Sequence, residues 1–153
     1  MIEFESQSQE ACYQRVARFL RDSFGDQTWA SPQQPYFVLR QGSAVATIDV
    51  QSWNEGSVVK TWSLVVTDIQ PTPELYEYLL RLNADQQFGA FALDADNDIV
   101  LRHTIIGDTL DPEELRSSVE AIARTADRYD DEIVEKFGGL RAKDREAEDG
   151  ARA

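Results

Sequence analysis

The chain has 153 residues, of which 42% are hydrophobic, so it is long enough to form one domain with a buried core. Its 28 Asp and Glu outnumber its 15 Lys and Arg, and the net charge of -13 argues against binding to nucleic acids and to anionic membrane surfaces. A single Cys and a single His exclude an internal disulfide and a structural zinc site.

The first predicted element is a helix from Ser8 to Phe24. Apolar residues recur along it at steps of three and four, the period of an amphipathic helix: Cys12, Val16, Phe19, Leu20 and Phe24. Gly25 is predicted to end the helix, because glycine tolerates the left-handed backbone of a helix terminus. Asp26 and Gln27 are predicted to continue into a loop, and residues 31–35 are predicted to be a polar, proline-containing connection that cannot be helical.

Three antiparallel strands are predicted next, at residues 36–41, 44–52 and 58–67, where β-branched and aromatic residues are frequent and turn residues lie between. Alternation divides their side chains between two unlike faces. One face is small or apolar and is predicted to pack against helices: Phe37, Leu39, Ala44, Ala46, Ile48, Val50, Val59, Ser63 and Val65. The other is amphipathic and is predicted to contact water: Tyr36, Arg40, Thr47, Asp49, Gln51, Trp53, Lys60 and Trp62.

A proline at the first helical position marks the start of two further helices. Thr72 caps the first of them and Asp111 caps the second, which extends to Gly138. Residues 88–93 and 99–106 between them are predicted to form a second hairpin. Residues 140–153 are charged and rich in small residues, which predicts a disordered tail.

These elements predict an α+β fold in the order α-β-β-β-α-β-β-α, with one mainly antiparallel five-stranded sheet flanked by three helices. The predicted domain covers residues 1–139, and no internal repeat divides it.

Three aspartates at alternate positions, Asp94, Asp96 and Asp98, match the start of a calcium-binding EF-hand loop. Such a loop continues with a glycine and ends with a bidentate glutamate, whereas Ile99 and Ile105 occupy these places here. The aspartates are therefore predicted to form a hairpin turn, which Asp favours through hydrogen bonds to the nearby backbone. No metal site is predicted, and a weak surface contact with Ca²⁺ is the alternative.

Catalytic residues and cofactors are not predicted. His103 has no carboxylate or nucleophile at a spacing typical of general acid–base catalysis, and it is predicted to be a hydrogen-bonded core residue. Cys12 lies on the apolar side of the first helix and is predicted to be buried and inert. The sequence contains no phosphate-binding loop, no GxSxG elbow and no HExxH motif.

The amphipathic sheet face provides the candidate binding site: Tyr36, Arg40, Trp53, Lys60 and Trp62. Large aromatic side chains on a polar face supply the contact area that interfaces and peptide grooves use. Two alternatives stay open, namely that another element covers these aromatic residues or that they form a homodimer contact. The acidic third helix is either a solvated face or a docking surface for a basic partner.

Several segments resemble the YbjN-like family: Leu-Leu-Arg-Leu-Asn at 79–83, Phe-Gly-Ala-Phe-Ala-Leu-Asp at 88–94, Ile-Val-Leu-Arg-His at 99–103, the helix at 115–127 and Phe-Gly-Gly at 137–139. The resemblance covers most of residues 72–139, and the N-terminal half agrees in element order. It implies the fold of type III secretion chaperones, small acidic proteins that often dimerise and bind an extended client segment. It supplies no catalytic residues.

The resulting hypothesis is a non-enzymatic protein- or peptide-binding module, chaperone-like or regulatory, that forms a homodimer. It would capture an apolar client segment on the aromatic face or on an exposed edge strand, and its negative charge favours basic clients. The alternative is a regulatory domain that binds a small molecule between sheet and helices. An acidic N-terminus and the lack of an apolar run of ~20 residues predict a cytoplasmic protein.

Overall fold

A computed structural model describes residues 1–145 and contains three α-helices, a short 3-10 helix and seven β-strands in an α+β arrangement. The helices are α1 (Gln7–Phe24), α2 (Pro73–Asp85) and α3 (Pro112–Phe137), and the 3-10 helix is Gly25–Gln27. The strands are β1 (Thr28–Ala30), β2 (Tyr36–Gln41), β3 (Ala44–Trp53), β4 (Gly56–Thr67), β5 (Ala90–Leu93), β6 (Ile99–Ile106) and β7 (Leu140–Arg141).

Side-chain caps explain why the three α-helices begin where the sequence predicts, within one residue. Ser6, Thr72 and Asp111 each accept a hydrogen bond from the backbone N–H three residues further on. Gly25 and Gly138, with φ of 55° and 79°, follow α1 and α3 in the left-handed region. In the described part of the chain, no helix is both long and apolar enough to cross a membrane.

The strands form one antiparallel sheet in the order β1-β2-β3-β4-β6-β5, and β7 pairs with the end of β4. The predicted meander is β2-β3-β4, and the predicted second hairpin is β5-β6. The predicted count of five strands is wrong, because the structure adds β1 and β7. These strands have three and two residues, which is too short for side-chain alternation to be recognised in a sequence.

The segment that follows α3 also differs from the prediction of a tail starting at residue 140. Leu140 pairs with Thr67 and Arg141 pairs with Val66, so this segment extends the sheet. The guanidinium of Arg141 also forms an ion pair of 2.6 Å with Asp131 on α3. Residues 142–145 are helical, and the rest of the predicted tail, residues 146–153, lies outside the described residues.

The core lies between one face of the sheet and the helices, and every residue of the predicted apolar face is buried. One hydrophobic cluster joins α1, α3 and the central strands, and a second joins α2, α3, β5 and β6. Helix α3 contributes to both clusters, through Val119 in the first and Ile122 in the second. The small side chains of Ala46 and Ser63 leave room for a helix to approach the sheet closely.

Candidate functional site

The sheet face opposite the helices is called the open face, and none of its side chains is fully buried. This observation agrees with the predicted division into a dry and a wet face, because alternate residues of one strand lie on opposite sides of the sheet. The strand residues of the open face are Trp29, Tyr36, Val38, Arg40, Val45, Thr47, Asp49, Gln51, Trp53, Val58, Lys60, Trp62, Leu64, Ala90, Ala92, Val100, Arg102, Thr104 and Ile106.

Trp62 lies near the centre of the open face. Its cross-strand partners are Thr47 on β3 and Arg102 on β6. Its neighbours include polar residues and also several half-buried aliphatic residues of the same face: Val38, Val45, Leu64, Ala92 and Val100. A half-buried indole among aliphatic side chains offers apolar contact area together with one N–H donor, which suits contact with another molecule.

Two pockets flank Trp62, and its indole lines both of them. The larger has a volume of about 400 Å³ and is lined on one side by Arg40 and Val45 and on the other by the segment at 142–145. The smaller has a volume of about 260 Å³ and extends over β6, where Val100 and Arg102 line it. Trp62 is therefore the wall that the two pockets share.

Four of the five predicted site residues lie on β2 and β4 of the open face: Tyr36, Arg40, Lys60 and Trp62. The fifth, Trp53, is 54% exposed at the hairpin end of β3. It lies six residues beyond Thr47, the partner of Trp62, which corresponds to roughly 20 Å along a strand. Trp53 thus belongs to the same face but lies far from the two pockets.

Sequence reasoning missed Trp29 and Arg102. Trp29 is 54% exposed, and its ring centroid lies 6.2 Å from that of Tyr36. It was missed because β1 is too short to show a strand pattern. Arg102 was recognised as a strand residue, but only the pairing of β6 with β4 places it beside Trp62.

The edges of the sheet offer less room for a client than its open face does. Edge strand β1 has only three residues. On the other edge, the side-chain amide of Asn83 already binds the backbone of Phe91 in β5, since it accepts from the N–H at 2.7 Å and donates to the carbonyl at 3.1 Å. A client strand that paired with β5 would have to displace Asn83.

The aspartate segment is a hairpin turn, as predicted. The carboxylate of Asp94 accepts hydrogen bonds from the backbone N–H groups of Asp96 and Asp98, both at 2.9 Å, and Asn97 is left-handed with φ 62°. One carboxylate oxygen from each of the three aspartates lies within 4.8 Å of the other two. Among the described residues, these aspartates are therefore the group that could hold a cation. The hydrogen bonds of the turn account for this arrangement without an ion.

The single imidazole and the single thiol have structural surroundings. His103 is half-buried, accepts a hydrogen bond from the backbone N–H of Gly89, and has its pKa lowered by burial. Cys12 is fully buried, and burial raises the pKa of its thiol despite a hydrogen bond with Ser57. Cys12 agrees with its predicted buried and inert role, because a raised thiol pKa disfavours the reactive thiolate. His103 has the predicted hydrogen bond, but it is only half-buried and does not belong to the core.

A family model described as T3SS (YopN, CesT) and YbjN peptide-binding chaperone 1 (TY-Chap1) matches residues 10–145. The match confirms the resemblance seen in residues 72–139 and extends it through the N-terminal half. No curated protein matches the sequence. The predicted small-molecule sensor finds no support in this match, which points to peptide binding instead.

Proposed function

We propose that this chain, which belongs to the TY-Chap1 family of T3SS (YopN, CesT) and YbjN peptide-binding chaperones, binds an extended client segment on the open face of its sheet. The single observation that carries the proposal is the position of Trp62 between two pockets, on the face opposite α1, α2 and α3. The module acts by binding and not by catalysis.

The physical basis is burial of apolar client side chains against Trp62. An extended segment directs alternate side chains to one side, about 6.6–6.8 Å apart, while the intervening side chains face solvent. An apolar side chain that becomes fully buried contributes roughly 1.5–3 kcal/mol. Leu64 and Val100, one in the lining of each pocket, extend the apolar surface on the two sides of Trp62.

The test is selection of peptides from a phage-displayed library of random 12-residue sequences, followed by fluorescence anisotropy with the selected peptides. In the Trp62→Ala variant we expect binding to weaken at least tenfold, because a central aromatic residue of an interface carries much of its binding energy. Unchanged affinity of every selected peptide for Trp62→Ala would remove the open face as the binding site.

Tyr76→Ala is the matched control. Tyr76 is an aromatic residue of α2 that is 41% exposed, and α2 packs on the opposite side of the sheet. Its replacement should change the affinity by less than twofold. Thermal unfolding of both variants establishes that the fold is retained.

The proposal extends to a homodimer and to a cytoplasmic location. Light scattering of the purified protein measures its mass in solution, and a single-chain mass of 17.3 kDa would contradict the dimer. Fractionation of native cells tests the location.

A further inference from the structure

The charge of the open face is opposite to that of the whole chain. Its strand residues include three cations, Arg40, Lys60 and Arg102, and one anion, Asp49. The chain as a whole has 28 acidic and 15 basic residues. A client that approaches this face therefore meets a locally positive surface, although the rest of the protein repels anions.

The two cations next to Trp62, Lys60 and Arg102, lack acidic partners, unlike four of the cations of the helices. Each helix cation that forms a bridge has an acid within one turn, as shown by Arg81–Glu77, Arg116–Glu113, Arg124–Glu120 and Lys136–Glu132. Within the described residues, neither Lys60 nor Arg102 forms an ion pair. Three of the four cations of α3 are thus compensated by acids of the same helix, whereas Lys60 and Arg102 are left for a partner.

The two nearby carboxylates are engaged elsewhere. Asp49 is the cross-strand partner of Lys60, but its carboxylate accepts a hydrogen bond of 2.6 Å from the side-chain amide of Gln51. Asp94 contributes to the lining of the smaller pocket, and it accepts the two backbone hydrogen bonds of the aspartate turn. Neither carboxylate neutralises the cations through an ion pair within 4 Å.

Lys60 and Arg102 also lie at suitable positions around Trp62. Arg102 is directly opposite Trp62 on β6, and Lys60 precedes Trp62 by two residues on the same face of β4. Lys60 and Arg102 are therefore diagonal neighbours on adjacent strands, and such pairs lie about 7–8 Å apart. All three side chains line the smaller pocket, so one indole and two cations converge on one space of about 260 Å³.

We propose that the client segment is acidic as well as apolar: an apolar side chain lies against Trp62, and Asp or Glu side chains two positions away pair with Lys60 and Arg102. This inference rests on the proposed function and specifies its client class. An acidic client is the reverse of the basic client that the net charge predicts. At physiological salt the field of distant charges is screened, so ion pairs formed directly at the open face outweigh it.

Three synthetic peptides labelled with fluorescein test the charge preference. The first is Ser-Asp-Thr-Leu-Thr-Asp-Thr-Leu-Thr-Asp-Ser, in which Asp and Leu occupy one side of an extended chain. The second has Asn in place of Asp, and the third has Lys. At 50 mM salt we expect the Asp peptide to bind at least tenfold more tightly than the Asn peptide, and the Lys peptide to bind most weakly. The difference should shrink at 500 mM salt.

Variants assign the preference to the two cations. Lys60→Gln and Arg102→Gln should each weaken binding of the Asp peptide by threefold or more, and each should weaken binding of the Asn peptide by a smaller factor. Arg124→Gln is the control, because Arg124 is an exposed cation on α3, on the other side of the sheet. Equal affinity of the three peptides, or an Asp preference that survives both open-face variants, would overturn the inference.

The library selection separates this inference from the proposed function. Selected peptides that require Trp62 and are enriched in Asp and Glu support both proposals. Selected peptides that require Trp62 but are neutral or basic leave the function intact and overturn the acidic client. If no selected peptide requires Trp62, the function itself fails. A 12-nucleotide oligo-dT that binds more tightly than the Asp peptide and requires Lys60 would overturn the peptide in favour of a nucleic acid.

Discussion

The backbone N–H of Gly89 donates a hydrogen bond of 3.0 Å to Nδ1 of His103, and this contact determines the protonation state of the imidazole. With Nδ1 acting as acceptor, the proton lies on Nε2 and the ring is neutral. Burial lowers the pKa of His103, and Glu114 opposes this effect only in part. The pair holds the segment before β5 against β6, next to the helix layer.

The first prediction is a loss of stability when the pH falls below 6.5, the ordinary pKa of histidine. The unfolded chain then binds a proton that the folded chain does not, so the free energy of unfolding falls with pH until the lowered folded-state pKa is reached. The slope is at most about 1.4 kcal/mol per pH unit. Urea denaturation between pH 8 and pH 5.5 measures it.

His103→Gln is the control for this prediction, because it removes the titrating group and leaves the acidic residues in place. As the pH falls, the free energy of unfolding should decrease more in the wild type than in the variant. Since the chain has one histidine, its NMR titration is unambiguous. A measured pKa at or above 6.5 for His103 would contradict the structure.

Asn83 is predicted to protect the β5 edge of the sheet. Asn83→Ala leaves the N–H and carbonyl of Phe91 without their side-chain partner, which should lower the free energy of unfolding by about 1–3 kcal/mol. The amide proton of Phe91 should also exchange faster with solvent. Asn83→Asp keeps the hydrogen-bond acceptor and loses the donor, so it should lower the free energy of unfolding less than Asn83→Ala does. If the Phe91 amide proton exchanges at the same rate in Asn83→Ala as in the wild type, the protective role of Asn83 is ruled out.

Gly107 is predicted to be required for the close contact between α1 and the β4–β6 pair. A Cβ at this position would overlap Oγ of Ser57 and lie 2.7 Å from Sγ of Cys12. Gly107→Ala should therefore destabilise the protein by about 1–3 kcal/mol through overpacking. A double-mutant cycle with Cys12→Ala should show a smaller combined loss than the sum of the two, because the removed sulfur makes room. Strict additivity would exclude this contact as the cause.

Two aspartates of α3 bind the β2–β3 turn and are predicted to have opposite effects on stability. Asp127 accepts a hydrogen bond of 2.8 Å from the backbone N–H of Ser43, and its hydrogen bonds with Ser43 lower its pKa. Asp130 is buried, and burial raises its pKa although Ser43 lies 2.8 Å away. Asp127→Ala should cost about 0.5–1.5 kcal/mol at pH 7, whereas Asp130→Asn should retain or increase stability.

The pH dependence of these two variants follows from the signs of the shifts. Asp127 contributes to the free energy of unfolding at pH values above its ordinary pKa of 3.8. This contribution is lost as the pH falls through the lowered pKa of the folded state. For Asp130 the raised folded-state pKa means that ionisation costs stability as the pH rises, so the benefit of Asp130→Asn grows with pH. Glu135→Gln, an exposed change on the same helix, controls for the loss of one negative charge. A destabilised Asp130→Asn at pH 7 would contradict the assignment.

The local order of this protein was predictable from the sequence by itself. Capping residues such as Asp111, glycine stops such as Gly25 and apolar periodicity depend on neighbours within a few residues, and they correctly located all three α-helices. Alternation along β2, β3 and β4 likewise separated the buried from the open face. It placed Tyr36 and Trp62 together on the open face before any strand pairing was known.

Only the tertiary structure decided which distant side chains meet. The pairing of β6 with β4 brings Arg102 beside Trp62, and the pairing of β1 with β2 brings Trp29 beside Tyr36. Strands as short as β1 and β7 have no recognisable pattern and form because a neighbouring strand supplies their hydrogen bonds. The physical reason is the sequence distance over which the interactions act. Periodicity is set by residues within a few positions of one another, whereas strand order depends on how the complete core packs. The locally positive open face of this acidic protein follows from that strand order.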